Sequence, residues 1–508
     1  MARLIVRESR LIDGKITFSG NILLNHQPKI CFFTVRKFRD EEITEDFPIY
    51  LTGPVSMTPL RYVVSLTGIR WHKFTVTLDF PWADMPSSIY GLGYRVDEKV
   101  TSPTIVKQAC RILSDDEAGR SYYIFVEPSV RVPRIEMYHL GSEELAKLTE
   151  QSNFPRPLQV SSVIGEYTNT ARDNGKALFE WICENAQDIR STYVVEKENV
   201  DEYSVESDGV AVFGSVEHLS RCIDAHVCAF THHRGYVYPY IIHALAAHRY
   251  NDTRTIFLQH GIIAMKKSII SHYRRKRVGY DAFCVSSQAE KGIITRHFGY
   301  DNDQVFATGL ARYDSLFNKS KNNESPSDGV LIFPTWRQGL EKQASEEVAK
   351  SLFVMQWQDA MTMISEAGVR TTLVLHPMLQ RHAKVFAPYV DEIRETRDFQ
   401  DALVNASALV TDYSSVSFDA LFLQKPVFLF QFDQDDMGLK EEAFIDIETQ
   451  LPGYVSFTPE ELALSISEVS NAKWNFAHRL QRKLYFDHCD DQNSARIVEI
   501  MRTFAQTN

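Results

Sequence analysis

Residues 409–433 read LVTDYSSVSFDALFLQKPVFLFQFD, two apolar runs on either side of a small polar knot, Thr-Asp-Tyr-Ser-Ser. Leu409 and Val410 have the character of the end of a buried strand, Val416 to Gln424 carries helical spacing, Lys425-Pro426 stops that helix, and Val427 to Phe432 reads as the next strand. The knot is therefore a strand-to-helix turn.

The same alternation extends outward in both directions. VLIFP, TTLVL, ALVT and VFLFQF form one series of short apolar runs separated by helical patterns. STYVV, GVAVFG, AHVCAFT, TIFLQ and AFCVSS form an earlier one, beginning after about residue 160, as βαβ units require. The polar segment NKSKNNESPSDG (318–329) between them has the composition of a linker. Before residue 155, KICFFTV, RYVVSLTG, HKFTVTLDF and SYYIFVEP alternate with turn clusters, which predicts an all-β module. The expected class is α/β, with a β-rich module at 1–155 followed by two Rossmann-like parallel-sheet domains, 156–320 and 321–508, that face a cleft. A closing helix is expected from Asn493 to Thr503.

At 508 residues and 44% apolar content the chain can fill several cores. Its 55 basic and 66 acidic residues leave a formal charge of -11, which argues against wholesale nucleic-acid binding and leaves any polyanion to a local basic site. The start, MARLIVRESRLIDGKI, has no apolar signal core, and no apolar run approaches a membrane span, so the cytoplasm is the expected compartment. The seven cysteines form no CxxC pair and point to neither a zinc site nor a disulfide framework.

In open α/β sheets ligands sit beyond the carboxyl ends of the strands, which directs attention to the residues just after each apolar run. TIFLQ is followed by His260-Gly261, VLIFP by Thr335-Trp336-Arg337, TTLVL by His376-Pro377, and ALV by Thr411-Asp412-Tyr413-Ser414-Ser415. Each end carries a group able to bind phosphate or move a proton. A lone strand-end histidine is more often a hydrogen-bonded structural residue than a catalyst, but two such ends shift that balance. Asp412 or Ser414 can serve as a helix cap, and the hydroxyls of Ser414 and Ser415 can equally donate to a phosphate. Arg337 is either a surface cation or a planar fork for phosphate, and Trp336 is as well suited to a core as to stacking on a base. Lys266, Lys267, Arg274, Arg275, Lys276 and Arg277 form a basic run just after His260. Such a run is usually a solvated helix face, and here it can also hold an anionic acceptor or lipid headgroups.

Several stretches, in order, resemble the CDP-glycerol glycerophosphotransferase family of teichoic-acid and capsule polymerases and primases: DNGKALFEWI (173–182), FGSVEHL (213–219), FLQHG (257–261), TGLARYDSL (308–316), FPTWR (333–337), LHP (375–377), TDYSSVSFDAL (411–421), KPVFLF (425–430) and LPGYV (451–455). The resemblance covers roughly 160–505 and implies a glycosyltransferase-B-like fold. It implies that His260 and His376 are the essential histidines, with Gly261, Thr335, Trp336, Arg337, Ser414 and Ser415 around the donor pyrophosphate and Asp412 and Asp419 shaping the same turn. One departure stands out: Ile262-Ile263 follows the histidine-glycine pair where many polymerases of the family have Thr-Pro.

The implied chemistry is attack of an acceptor hydroxyl on the β-phosphate of a CDP-linked glycerol or ribitol, releasing CMP, with His260 as base and His376 on the phosphate side. The acceptor would be an anionic lipid-linked or polymeric wall or capsular chain, met by a peripheral enzyme at the inner face of the plasma membrane, with no nucleic-acid partner. No cofactor is specified, and no carboxylate cluster has metal-ligand spacing, although Asp433, Asp435 and Asp436 follow a strand end and can recruit a divalent cation. The rival readings are a nucleotide-sugar glycosyltransferase or epimerase of the same architecture and a non-catalytic glycan-binding protein.

Overall fold

The computed structural model describes residues 134–197, 209–265, 267–322, 329–337, 340, 343–434, 443–446, 450–469 and 476–506, together with the strands between residues 3 and 127, where only residues 17–19 are described beyond the backbone. Those earlier strands, such as the antiparallel pair Arg3–Ile12 and Lys15–Leu24, belong to two sheets, the second of which includes Arg134–His139. Glu136 on that strand is buried and accepts from the backbone N–H groups of Tyr240 and Ile241, which joins it to the following domain.

Both apolar series form wholly parallel sheets of related topology. The first contains β1 (Val160–Gly165), β2 (Ile189–Val195), β3 (Val210–Val212), β4 (Val227–Phe230), β5 (Arg254–Phe257), β6 (Ala282–Val285) and β7 (Val305–Ala307), in the order β3-β2-β1-β4-β5-β6-β7. The second contains β8 (Val330–Ile332), β9 (Thr371–Val374), β10 (Glu392–Arg394), β11 (Ala408–Thr411), β12 (Val427–Phe430) and β13 (Tyr454–Ser456), in the order β10-β9-β8-β11-β12-β13. The order reverses between β1 and β4 and between β8 and β11, so each sheet opens a crevice at those carboxyl ends. The central strands are buried along nearly their whole length because helices cover both faces, which is why they read as continuous apolar runs.

The covering helices follow from their caps and spacing. In α1 (Asn174–Asn185) Asp173 accepts from the N–H of Asn174, and Leu178, Phe179 and Ile182 turn inward; in α2 (Val216–Asp224) Ser215 accepts from the N–H of His218. In α4 (Leu352–Glu366) Ser351 caps Val354, and Val354, Trp357, Met361 and Ile364 are buried. In the opening stretch, α5 (Val416–Phe422) ends earlier than its spacing predicts. Gln424 takes a φ of 59°, and Lys425 N–H returns to the carbonyl of Ala420, a Schellman-type closure that stops the helix before Lys425-Pro426.

Two connections differ from expectation. Residues 318–322 of the expected linker are the last turn and a half of α3 (Arg312–Asn322); the part at 323–328 lies outside the described residues. The closing helix, α6 (Asn493–Gln506), returns to the first domain: Ile497, Val498 and Met501 share a core with Leu178, Ile182 and Ile256. The carboxylate of Asp314 at the start of α3 accepts from the N–H groups of Asn493 and Ser494, each at 2.8 Å. Gly309 makes this approach possible, since its φ is 79° and a Cβ there would stand 1.7 Å from Asn493 Oδ1.

The two sheets are joined by an apolar cluster in which Ile262, Ala264 and Met265 from the loop after β5 meet Leu409, Phe418 and Leu421 of the second domain. Ile263 instead enters the first domain's core. The Ile262-Ile263 departure is thus a packing element that anchors the loop carrying His260 to both domains. No helix among the described residues is long and apolar enough to cross a membrane.

Candidate active site

A cavity of about 930 Å³ lies between the domains, lined from the first by Asp173, Lys176, His260 and Arg312 and from the second by Phe333, Arg397, Ser415 and Asp419. His260 is exposed at its wall, one residue beyond Gln259, which is buried and held at a φ of 48°. That left-handed backbone is uncommon for a residue with a side chain, and it turns the chain sharply between the core and the histidine. Glu290 fixes the turn from both ends: its buried carboxylate accepts from Gln259 Nε2 at 3.2 Å and from the N–H of Ile263 at 2.7 Å. Burial raises the Glu290 pKa above the ordinary carboxylate range, and these hydrogen bonds oppose that rise.

Arg312 is the other anchor. Its Nη1 donates to the carbonyl of His260 at 2.7 Å and to Asp173 at 3.0 Å, and its Nη2 donates to Asp419 at 2.7 Å. The guanidinium is 8% exposed and joins a carboxylate from each domain to the backbone of the candidate base. Burial alone would lower its pKa, but Asp419 and Asp173 more than offset this, so it stays charged. Asn174 completes the arrangement, donating to the carbonyl of Gln259 and accepting from the N–H of Arg312.

The second domain approaches at Gly261, where a Cβ would stand 3.1 Å from Ser415 Oγ. Ser415 is the N-cap residue of α5 but its side chain makes no capping bond; Ser414 Oγ instead accepts from the N–H of Val416 at 3.4 Å. The two serines therefore divide the roles proposed for the turn, Ser414 at the cap and Ser415 at the cavity. The structure brings His260, Ser415 and Asp419 together on the cavity wall, with Gly261 against Ser415.

Other expected residues lie elsewhere. His376 and Trp336 are neighbours, ring centroids 6.0 Å apart, and His376 Nδ1 accepts from the N–H of Met378; neither lines the cavity. Arg337 is not a free phosphate fork. Its Nε and Nη2 hold Asp433, Nη2 also holds Asp412 at 2.9 Å, and Nη1 donates to the carbonyl of Thr335. Asp412 is fully buried and also accepts from the N–H groups of Thr335 and Tyr413, so it ties the end of β8 to the end of β11 rather than facing a ligand. Burial raises its pKa, against the pull of Arg337. Asp433 is engaged by Arg337 and Tyr413, while Asp435 and Asp436 lie outside the described residues. Among the described residues no group of three or more His, Cys, Asp or Glu side chains is placed to hold a metal ion.

The basic run forms short helical turns, Lys267–Ile269, Ile270–Tyr273 and Arg275–Val278, and Lys266 lies outside the described residues. Ile269, Ile270, Tyr273 and Val278 pack inward, Arg274, Arg275 and Lys276 are exposed, and Arg275 pairs with Asp301. None of the described residues of the run lines the cavity. The residues that hold His260 in place, Asp173, Arg312 and Glu290, carry no local sign of that role; the first two do fall within DNGKALFEWI and TGLARYDSL.

A family model described as CDP-Glycerol:Poly(glycerophosphate) glycerophosphotransferase matches residues 154–502. The chain belongs to that family. Among similar proteins, the teichoic acid poly(ribitol-phosphate) polymerase of Bacillus spizizenii is 26% identical over 248 residues, 45% of this chain and 38% of that one. The teichoic acid glycerol-phosphate primase of Bacillus subtilis is 23% identical over 253 residues, 46% of this chain and 61% of that one. The chain thus spans less than two thirds of the length of these relatives. A variant of the wall teichoic acid polymerase TagF superposes with a TM-score of 0.55 at 15% identity, covering 72% of this chain and 93% of that one. A TagF crystal soaked with CDPG gives 0.54 at 16% identity, covering 72% and 94%. These likenesses show a shared glycosyltransferase-B-like fold of two parallel-sheet domains about a cleft.

Proposed function

We propose that the chain transfers a polyol phosphate, glycerol or ribitol phosphate, from a CDP-activated donor to a hydroxyl of a wall or capsular acceptor. The observation that carries this reading is His260, exposed on the interdomain cavity with its backbone carbonyl held by Arg312 and with Ser415 of the second domain against the neighbouring Gly261. The names of the relatives and the CDPG soak of TagF supply the substrate class. In the proposed reaction His260 accepts the proton of the acceptor hydroxyl, the oxygen forms a bond to the donor β-phosphorus, and the bond to the bridging oxygen breaks to release CMP. Ser415 donates to the donor phosphate, and His376 with Trp336 meets the donor after the domains close further. An imidazole is suited to the role of general base, and such a base typically contributes roughly 10²- to 10⁴-fold.

The exposed cations of the segment 267–277 are proposed to bring the enzyme to an anionic membrane surface on the cytoplasmic side, near a lipid-linked acceptor. The decisive test is turnover of CDP-glycerol, CDP-ribitol and UDP-sugars with the released nucleotide identified, together with single-turnover rates for His260→Ala and His376→Ala. CMP release that falls at least roughly 10²-fold in folded His260→Ala, with donor affinity retained, is the expected result. Release of UDP instead, or full activity in both variants, overturns the reading.

A further inference from the structure

β4 is followed by Thr231-His232-His233, placed after a strand as His260 and His376 are. The His232 ring lies nearly parallel to the His260 ring, with centroids 5.2 Å apart and planes at 12°. Tyr167 packs on His232 at 3.7 Å, and Tyr236 meets Tyr167 edge-on at 5.1 Å. Tyr236 is 3% exposed and belongs to the first domain's core. A column of rings therefore runs from the core through Tyr167 and His232 to the candidate base at the cavity wall. Arg312 and Glu290 fix the main chain on either side of His260 but leave its side-chain torsions to be set by what the ring touches.

We propose that His232 is a positioning residue for the transfer reaction, its flat face holding the His260 imidazole in the orientation that meets the acceptor hydroxyl. The inference rests on the reading of His260 as the base. Alignment of the reacting groups is a large part of what such an enzyme supplies, so a base held less firmly should lose rate rather than donor affinity. The geometry asks for a planar ring, not for a second titrating group, which separates stacking from acid–base participation.

The test compares His232→Ala and His232→Phe in the full chain, with CDP-glycerol as donor. His232→Ala should lower kcat about tenfold or more with donor KM little changed, and His232→Phe should recover kcat to within about threefold of wild type. Independently of activity, the Hε1 resonance of His260, read by ¹³C-histidine NMR, should move when the His232 ring is removed. An unmoved resonance overturns the stack. Wild-type kcat in folded His232→Ala alongside loss in His260→Ala overturns the positioning role alone, whereas full activity in His260→Ala overturns the base reading and this inference with it. Equal losses in both His232 variants that track the melted fraction reduce His232 to a structural residue and also overturn the proposal.

Discussion

The Arg312 guanidinium reaches the backbone carbonyl of His260 at 2.7 Å from the same side chain that binds Asp419 of the other domain at 2.7 Å. The position of the candidate base and the closure of the two domains are thereby linked through one residue. Arg312→Ala would leave the buried Asp419 and the part-buried Asp173 without their cation, and stranding a buried partner in this way typically costs about 3–5 kcal/mol. Arg312→Lys keeps the charge but, as a compact ammonium, cannot span Asp173, Asp419 and the His260 carbonyl together. The expected outcome is strong destabilisation in the alanine variant by urea unfolding. In the lysine variant a folded protein should show reduced single-turnover rates. Wild-type turnover in folded Arg312→Lys would show that the carbonyl contact does not matter.

Much of the architecture could be read from the chain because a strand buried on both faces is a continuous apolar run, and the polar residues after it mark the ligand side. This located β5, β8, β9 and β11, and through them His260, Thr335, His376 and Ser415. The Arg312 pairings were not legible, since Arg312 and Asp419 stand 107 residues apart and meet only when the two domains pack. Arg337 illustrates the same limit. A guanidinium fork suits a phosphate or a carboxylate equally, and two carboxylates claim it only once β8, β11 and β12 lie side by side. The return of α6 to the first domain likewise depends on Asp314 meeting its N-terminus, a relationship between segments far apart in the chain.

Ser415 and Gly261 form a second testable pair. A Cβ at Gly261 would stand 3.1 Å from Ser415 Oγ and 3.5 Å from its Cβ, tighter than ordinary contact at the oxygen. Gly261→Ala should displace Ser415 and raise donor KM, and Gly261→Ala combined with Ser415→Gly should relieve the crowding without restoring donor binding. Ser415→Ala alone should cost roughly 1.5–3 kcal/mol in kcat/KM, the scale of a lost hydrogen bond to a charged group, with little change in Tm. Ser414→Ala should instead lower stability by up to about 1 kcal/mol as a weakened cap. The reverse pattern, a kinetic effect at Ser414 and a stability effect at Ser415, would exchange their roles.

Glu166 predicts a pH dependence of stability. It is 1% exposed, accepts from the N–H groups of Arg172, Asp173 and Lys176, and is pushed up to about 7 by burial and then by the neighbouring Asp173 carboxylate. A carboxyl whose folded pKa lies above its unfolded value binds its proton more tightly in the native state. Its contribution is therefore fully present below about pH 4.5 and is lost as pH rises through about 7. On this single-group scale the loss approaches ~3 kcal/mol. Urea midpoints for wild type should fall between pH 5 and pH 8 more steeply than those for Glu166→Gln, which has no such proton to release. Parallel pH profiles for the two proteins would assign the decline to other groups.

Arg337 provides the sharpest separation between ligand binding and structure. It was expected among the donor-binding residues, yet its fork is engaged by Asp412, which is fully buried, by Asp433, and by the carbonyl of Thr335. If these contacts persist with donor bound, Arg337→Ala acts by stranding the Asp412 carboxylate in the core, again on the scale of about 3–5 kcal/mol. Replacing both partners, Arg337→Met with Asp412→Asn, removes the two charges together, and the cycle should return a large part of that loss because no uncompensated charge remains. Donor dissociation constants, measured by calorimetry on whatever fraction is folded, should stay within a few-fold of wild type in the double variant. A donor affinity that falls by 10²-fold or more in a stable double variant would instead return Arg337 to the phosphate and make its ion pairs with Asp412 and Asp433 the resting state of a residue that moves.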